Sequence, residues 1–381
     1  MKIEHVNLRE IHMRLRSPFE TSFGAVQDRR ILLVEVHTDG VTGWGEGTAM
    51  EGPFYNSETI DTAWMMLREY LIPLVLGKQI GSAKDIPTLL QPVRGNEMAK
   101  APLENAVWHA ESLISGVPLS RLLGGTLSEV PCGVSLGIQP TIAKLLAMVD
   151  KEVAAGYQRI KLKIKPGKDL DVVREVRKRF PKIKLSVDAN SAYTLADTDH
   201  LKRLDEFNLL MMEQPLEWDD IHHHAQLQSQ IATPICLDES IRHLRHAAAA
   251  VETGACRVIN IKLCRVGGHS EASRIQEYCF GRGVPVWCGG MIESGIGRAH
   301  NIAMSSQAGF IWPGDVSASQ RYWDEDVIEP EVRVSPSGTI RVSESPGLGY
   351  EIRERRVQQL TVRQEQFSGR PELVSVPADL V

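Results

Sequence analysis

Lys163, Asp188, Glu213 and Asp238 are spaced 25 residues apart, and Lys262 follows 24 later. Each ends a short apolar run: Ile160-Lys-Leu-Lys163, Leu185-Ser-Val-Asp188, Leu209-Leu-Met-Met-Glu213, Pro234-Ile-Cys-Leu-Asp238 and Val258-Ile-Asn-Ile-Lys262. An apolar run, a turn, one helix and the next run make a βαβ unit, and right-handed repetition of such units builds a parallel sheet. The period therefore predicts five charged groups at the carboxyl ends of successive parallel strands. In a closed (β/α) barrel that rim carries the active site.

The rest of the chain frames this repeat. Its 381 residues are enough for a barrel and a smaller domain. Residues 1–125 read as an α+β domain: runs at Ile31–His37 and Val41–Glu46 flank Thr38-Asp-Gly40, a hairpin signal, and helical patterns follow near 57–75 and 97–115. Gly124-Gly125 marks the boundary to a barrel over 126–320. It starts with a strand near Gly133–Ile138 and ends with runs at Val284–Cys288 and Gly309–Trp312, the latter leading into Pro313-Gly314-Asp315. In the helix after Lys163, Val172, Val173, Val176 and Phe180 share a face, with Asp169 and Asp171 near its start and Lys178 and Arg179 near its end. Residues 321–381 read as extra strand and loop packing back on the first domain, the final dozen loosely ordered.

Charge and cysteine usage exclude several classes. A net charge of -5 with no long basic run argues against nucleic acid or an anionic membrane as partner. The first ten residues are too charged for a secretory signal and no apolar stretch reaches spanning length, so a cytoplasmic protein is expected. The six cysteines form no C-x-x-C pair and several sit in apolar runs, which predicts buried, reduced thiols.

Side chains alternate along a strand, so Lys161 and Lys163 share a face and reach the volume into which Asp188 points. Three carboxylates without His or Cys suit a hard cation, Mg²⁺ or alternatively Mn²⁺, that leaves positions open for a substrate carboxylate. Crowded ammonium groups beside a cation disfavour each other's charge, so one lysine becomes available as a base. Lysines on opposite sides could then approach a carbon from both faces. Other features have simpler readings. Lys165 is a solvated rim residue, His222-His223-His224 an exposed helix start, and His300 a polar helix-start residue. Gly43-Trp-Gly-Glu-Gly47 is explained by turn geometry, while Gly289-Gly290 could offer backbone N–H groups to an anion.

With these residues in place, the chain resembles the enolase superfamily, in its muconate-lactonizing branch. The motifs that carry the likeness are Lys161-Leu-Lys163, Asp188-Ala-Asn-Ser-Ala-Tyr-Thr194, Glu213-Gln-Pro-Leu216, Leu237-Asp-Glu-Ser240, Asn260-Ile-Lys-Leu-Cys-Arg-Val-Gly-Gly268 and Trp287-Cys-Gly-Gly-Met-Ile-Glu-Ser294. They look like the group containing o-succinylbenzoate synthases and N-succinylamino acid racemases. The likeness spans nearly the whole chain and implies an α/β fold, a (β/α)7β barrel with an N-terminal α+β capping domain. By resemblance, Lys163 is the proton-abstracting base and Lys262 its opposite-face partner, an arrangement known for that superfamily. Asp188, Glu213 and Asp238 would hold Mg²⁺ (Mn²⁺ as a substitute), and Lys161, Asn190, Glu239 and Arg265 would orient or tune these groups. Substrate would lie against Phe19, Phe23 and Tyr55 on two capping loops and against Ser135, Gly290, Met291 and Ile292 on the barrel.

The implied reaction is proton removal beside the carboxylate of a small molecule. It leads either to o-succinylbenzoate by dehydration, a menaquinone precursor, or to racemised N-succinyl or N-acyl amino acids, with a dedicated racemase as the alternative. A homo-oligomer is expected. A histidine base is missing at Trp287-Cys288, which weakens a mandelate-racemase reading; Asp315-Val-Ser317 lacks the second Asp of dipeptide epimerases. A Schiff-base aldolase or a non-catalytic barrel would leave the three carboxylates unexplained.

Overall fold

The computed structural model describes residues 1–22 and 24–369; Phe23 and the final dozen residues lie outside the described residues. The N-terminal part is an antiparallel sheet of β1 (Ile3–Glu20), β2 (Ala25–Thr38) and β3 (Val41–Gly47), joined at its β1 edge by a strand from the far end of the chain, Thr361–Ser368. Asp39 and Gly40 both have positive φ, 46° and 79°, so β2 and β3 are joined by the two-residue primed turn that matches strand twist. β1 is a long strand that the sequence pattern had not revealed.

Helix α1 (Glu97–Ser115) lies across this sheet and stops at Gly116, whose φ of 67° reverses the chain. The glycines of Gly43-Trp-Gly-Glu-Gly47 serve this contact. A Cβ on Gly43 would sit 1.9 Å from the Ala106 carbonyl oxygen, and one on Gly45 2.0 Å from that of Pro102. Close strand-on-helix packing, rather than a turn, requires them.

The barrel strands are β4 (Gly133–Leu136), β5 (Arg159–Lys163), β6 (Lys184–Asp188), β7 (Met212–Glu213), β8 (Ile235–Leu237), β9 (Val258–Ile261) and β10 (Val286–Cys288), hydrogen-bonded in that order and parallel throughout. The gap between β10 and β4 is closed by Gly314 and Asp315. Gly133 N–H donates to Gly314 O at 2.7 Å and Asp315 N–H to Cys288 O at 2.7 Å. This completes a (β/α)7β barrel beside an N-terminal α+β capping domain. The final strand was expected to run through Gly309–Trp312; the pairing falls instead on the residues just after it.

Outside the barrel, α2 (Leu170–Arg179) buries Val173 and Val176 of the expected face, leaves Val172 and Phe180 partly buried, and is N-capped by Asp169. Inside it, Met211, Cys236, Val258 and Trp287 form a small apolar plug. The Arg159 guanidinium and the Lys161 ammonium stack on the Trp287 ring at 4.6 and 4.8 Å, so the plug meets the polar rim through cation–π contacts. All six cysteines are buried and unbridged. No described helix is long and apolar enough to cross a membrane.

Candidate active site

The register delivers the rim residues to one end of the barrel. Lys163 pairs with Asp188 and Asp188 with Glu213. Glu213 then pairs with Cys236, so Asp238 stands two residues further along on the same face. This stepping follows from the strand tilt that closing a barrel imposes.

The side chains meet as a charge lattice. Lys161 Nζ lies 2.7 Å from Glu213 Oε2 and 3.2 Å from Asp188 Oδ2; Lys163 Nζ donates to Asp188 Oδ2 at 2.7 Å and to Asn190 Oδ1 at 2.6 Å. Across the mouth, Lys262 Nζ donates to Asp238 Oδ2 at 2.8 Å, and Arg265 pairs with Asp238 Oδ1. Asn190 Nδ2 reaches Glu239 Oε1 at 3.0 Å and Asn260 Nδ2 reaches Glu213 Oε1 at 2.7 Å. Asn260 was not singled out from the sequence, although it stands two before Lys262 and so shares its strand face.

Burial and these pairings set the protonation states. For Lys161, burial is the largest influence and favours the neutral amine. Asp315, Glu213 and Asp188 outweigh it and hold the group above the usual ammonium range. Lys161 is therefore held as the ammonium, a fixed cation among the acids rather than the base. Lys262 is likewise raised: burial opposes its charge, but Tyr55, Glu239, Glu213 and Asp188 prevail. Asp188 is pulled below the carboxylate range despite burial, by Lys163 and Lys161. Burial, reinforced by Asp188, pushes Glu213 up; it also lifts Glu239 to about 7.

Do these residues fit a divalent cation? Among the described residues no three acidic, His or Cys side chains converge on one point, because the lysines and Arg265 bond to the acids instead. The donor chemistry does fit. Asp188, Glu213 and Asp238 offer only oxygen and are buried, and Glu239 Oε2 and Asn260 Oδ1 are buried acceptors without a hydrogen-bond partner. That is a surplus of hard oxygen donors at the barrel mouth.

A cavity of about 270 Å³ opens directly over the lysines. Lys163, Asn190 and Lys262 form its polar floor, while Phe19, Val26, Met50, Phe54, Met291 and Ile292 supply apolar wall. Tyr55, Gly290, Met291 and Ile292 all line it; Ser135 does not, but stands beside Lys161 in register with an unpartnered buried hydroxyl. Phe23 lies outside the described residues. Tyr55 OH donates to Asp238 Oδ1 at 3.1 Å, so a capping loop touches the rim directly. Phe54, beside it and 73% exposed, also lines the cavity. A larger cleft of about 1110 Å³, between α1 and the helix His269–Phe280, carries none of the rim lysines or the three acids.

Other sequence readings are met in part and corrected in part. Gly289 donates its N–H to Ile261 O, so it is not free for an anion, and its missing side chain makes room for Asn260. His224 is fully buried and accepts from Leu216 N–H, unlike its exposed neighbours His222 and His223. His300 sits inside α3 (Gly295–Ser305), bonded to Trp44 O and His269. Lys165 is partly exposed and lies 3.7 Å from Glu20.

A barrel rim with lysines facing each other over buried acids, beneath a capping domain, defines the class. The chain belongs to the enolase superfamily: residues 144–356 match the enolase C-terminal domain-like family, and residues 3–124 match the N-terminal domain of mandelate racemase and muconate lactonizing enzymes. It is 52% identical over 362 residues to an o-succinylbenzoate synthase from Geobacillus stearothermophilus, covering 95% of this chain and 96% of the relative. An N-succinylamino acid racemase from Thermus thermophilus is 44% identical over 97% of this chain and 100% of its own length. A solved enolase-superfamily member from Listeria innocua superposes with a TM-score of 0.93 at 40% identity, covering 97% of this chain and 99% of that one.

Proposed function

We propose that this chain removes the proton α to a carboxylate, dehydrating a precursor to o-succinylbenzoate in menaquinone biosynthesis and also racemising N-succinyl or N-acyl amino acids. One observation carries the reading: Lys163 and Lys262 line a single cavity, each anchored to a different acid, Asp188 and Asp238. Relatives named for both reactions match over nearly the full chain. A homo-oligomer in the cytoplasm belongs to the same proposal.

Asp188, Glu213 and Asp238 would hold Mg²⁺, with Mn²⁺ as a substitute; a dipeptide epimerase of this fold from Enterococcus faecalis is known with Mg. When bound, the metal would act as a Lewis acid for charge developing on the substrate carboxylate. Lys163 Nζ, oriented by Asn190 Oδ1, takes the α-proton. In dehydration the proton taken by Lys163 passes to the β-hydroxyl as the C–O bond breaks, so that it leaves as water, and Lys262 serves only as a cation facing the developing charge. In racemisation Lys262 returns a proton to the opposite face. The apolar wall receives the ring or side chain, and the capping loops exclude water.

The test is to follow dehydration of the o-succinylbenzoate precursor and D₂O exchange of N-succinylphenylalanine on one purified sample with Mg²⁺. Lys163→Ala should lose both. Synthase turnover near wild type in that variant would overturn the base assignment.

A further inference from the structure

Glu46 belongs to the capping domain, yet its carboxylate is spent inside the barrel. Its Oε1 accepts from Ser294 N–H at 2.9 Å, and its Oε2 accepts from Ser294 Oγ at 2.5 Å and Gly297 N–H at 2.9 Å. These donors are the first turn of α3, whose unpaired N–H groups and positive dipole end suit a carboxylate. Gly297 makes the fit possible, because a Cβ there would lie 2.9 Å from the Glu46 carboxyl carbon. Glu46 is 1% exposed and Ser294 is fully buried, so water cannot substitute for the contact.

What this contact holds lies two residues upstream. Ile292 has φ of 59°, a conformation that a β-branched residue rarely adopts, and its side chain lines the cavity above Lys163 and Lys262. The strained residue is pinned on both sides. Met291 N–H donates to Glu293 Oε1 at 2.9 Å, and Glu293 O accepts from Arg298 Nη2 at 2.8 Å and Trp323 Nε1 at 3.1 Å. Ser294 is then fixed by Glu46. Upstream the pin is Met291 N–H; downstream the Glu293 carbonyl is held by Arg298 and Trp323, and Ser294 by Glu46, the one pin of these from the capping domain.

We propose that Glu46 is a positioning residue for substrate specificity: through Ser294 it keeps Ile292 in its left-handed conformation and so shapes the wall that meets the substrate side chain. The inference rests on the reading above only in taking this cavity as the substrate pocket. Glu46 touches neither lysine nor rim acid, so its loss should weaken binding and leave proton transfer largely intact. It also makes the pocket wall dependent on how the capping domain is seated.

A double-mutant cycle tests this, with KM and kcat for α-proton exchange of N-succinylphenylalanine in D₂O as readout. Glu46→Ala is expected to raise KM about tenfold with kcat within about threefold of wild type, and Glu46→Gln, which keeps one acceptor, to recover part of it. In an Ile292→Gly background, where the backbone is unstrained and the side chain absent, Glu46→Ala should change KM little. An equal KM rise in both backgrounds, or a loss of kcat with KM unchanged, would overturn the proposal. Ser294→Ala removes only the hydroxyl contact and supplies the same cycle should Glu46→Ala not fold. An inactive wild type would count against the functional reading instead; the proposal is then read from Kd of N-succinylphenylalanine in the same variants, with unchanged Kd overturning it.

Discussion

Lys161 Nζ and Asp315 Oδ2 lie 2.8 Å apart across the seam where the barrel closes, while Asp315 Oδ1 is 2.5 Å from Arg159 Nη2. The residue that completes the sheet also balances two buried cations. Burial would raise its pKa, but Lys161 and Arg159 pull it down to about 2. Its carboxylate is engaged with these partners, which gives the first acid of Asp315-Val-Ser317 a role independent of substrate.

Asp315→Asn should therefore destabilise the fold. It leaves Arg159 and Lys161 short of one counter-charge in a dry interior, and breaking such a pair costs about 3–5 kcal/mol. The urea midpoint should fall accordingly, more than for the exposed pair control Asp28→Asn, whose partner Arg14 is in solvent. Equal midpoints for the two variants would show that the seam does not need this charge.

Much of this architecture was legible because the barrel repeats. Each strand is short, and each places its charged residue where the apolar run ends, so spacing alone located Lys163, Asp188, Glu213, Asp238 and Lys262. β1 escaped because its apolar alternation is broken: its register with β2 shifts between Ile3 and His5 and again between Arg14 and Phe19. The contacts of Glu46 with Ser294 and of His300 with Trp44 escaped for another reason. They join residues 248 and 256 positions apart, and nothing local in either segment announces the other. The pairing of Lys161 with Asp315, the acid with the largest effect on it, escaped as well, because that acid comes from the closing segment.

Metal removal gives a second check. With Asp188, Glu213 and Asp238 as an all-oxygen set, chelation by EDTA should abolish both dehydration and exchange, and added Mg²⁺ should restore them. Mn²⁺ should restore activity in part. Activity that survives EDTA but is lost on borohydride treatment with a carbonyl substrate would mark imine chemistry instead.

Gly45→Ala probes how the capping domain is built. The added methyl would sit 2.0 Å from the Pro102 carbonyl oxygen, a backbone atom of α1 that no rotamer change can move aside. β3 and α1 must then separate, and overpacking of this kind costs about 1–3 kcal/mol or more. A clear drop in melting temperature is expected, whereas Gly77→Ala meets no atom within 4 Å and suffers only its φ of 72°. If Gly45→Ala melted no lower than Gly77→Ala, the close approach would not be limiting.

The pH dependence of stability turns on a chain of imidazoles between the domains. Trp44 N–H donates to His109 Nδ1 at 3.0 Å, His300 Nε2 lies 2.8 Å from Trp44 O, and His269 Nε2 lies 2.9 Å from His300 Nδ1. Burial holds all three neutral: His109 falls to about 3, His300 to about 4, and His269 well below its ordinary 6.5. Their folded pKa values lie below the unfolded ones, so the unfolded chain binds more protons in this range. The stability they supply is complete above pH 6.5 and is lost as pH falls. Between pH 7.5 and 5.5 each should cost about 1.4 kcal/mol. Glu46, Glu58 and Glu104, lifted by burial to about 7, act in the opposite sense and gain stability over the same interval. The histidine effect is therefore read as a difference. His109→Gln, which can still accept from Trp44 N–H, should show a smaller acid-induced loss than wild type by about 1.4 kcal/mol in urea unfolding at the two pH values. Parallel pH dependence in the two proteins would mean that His109 takes up its proton without unfolding the domain contact.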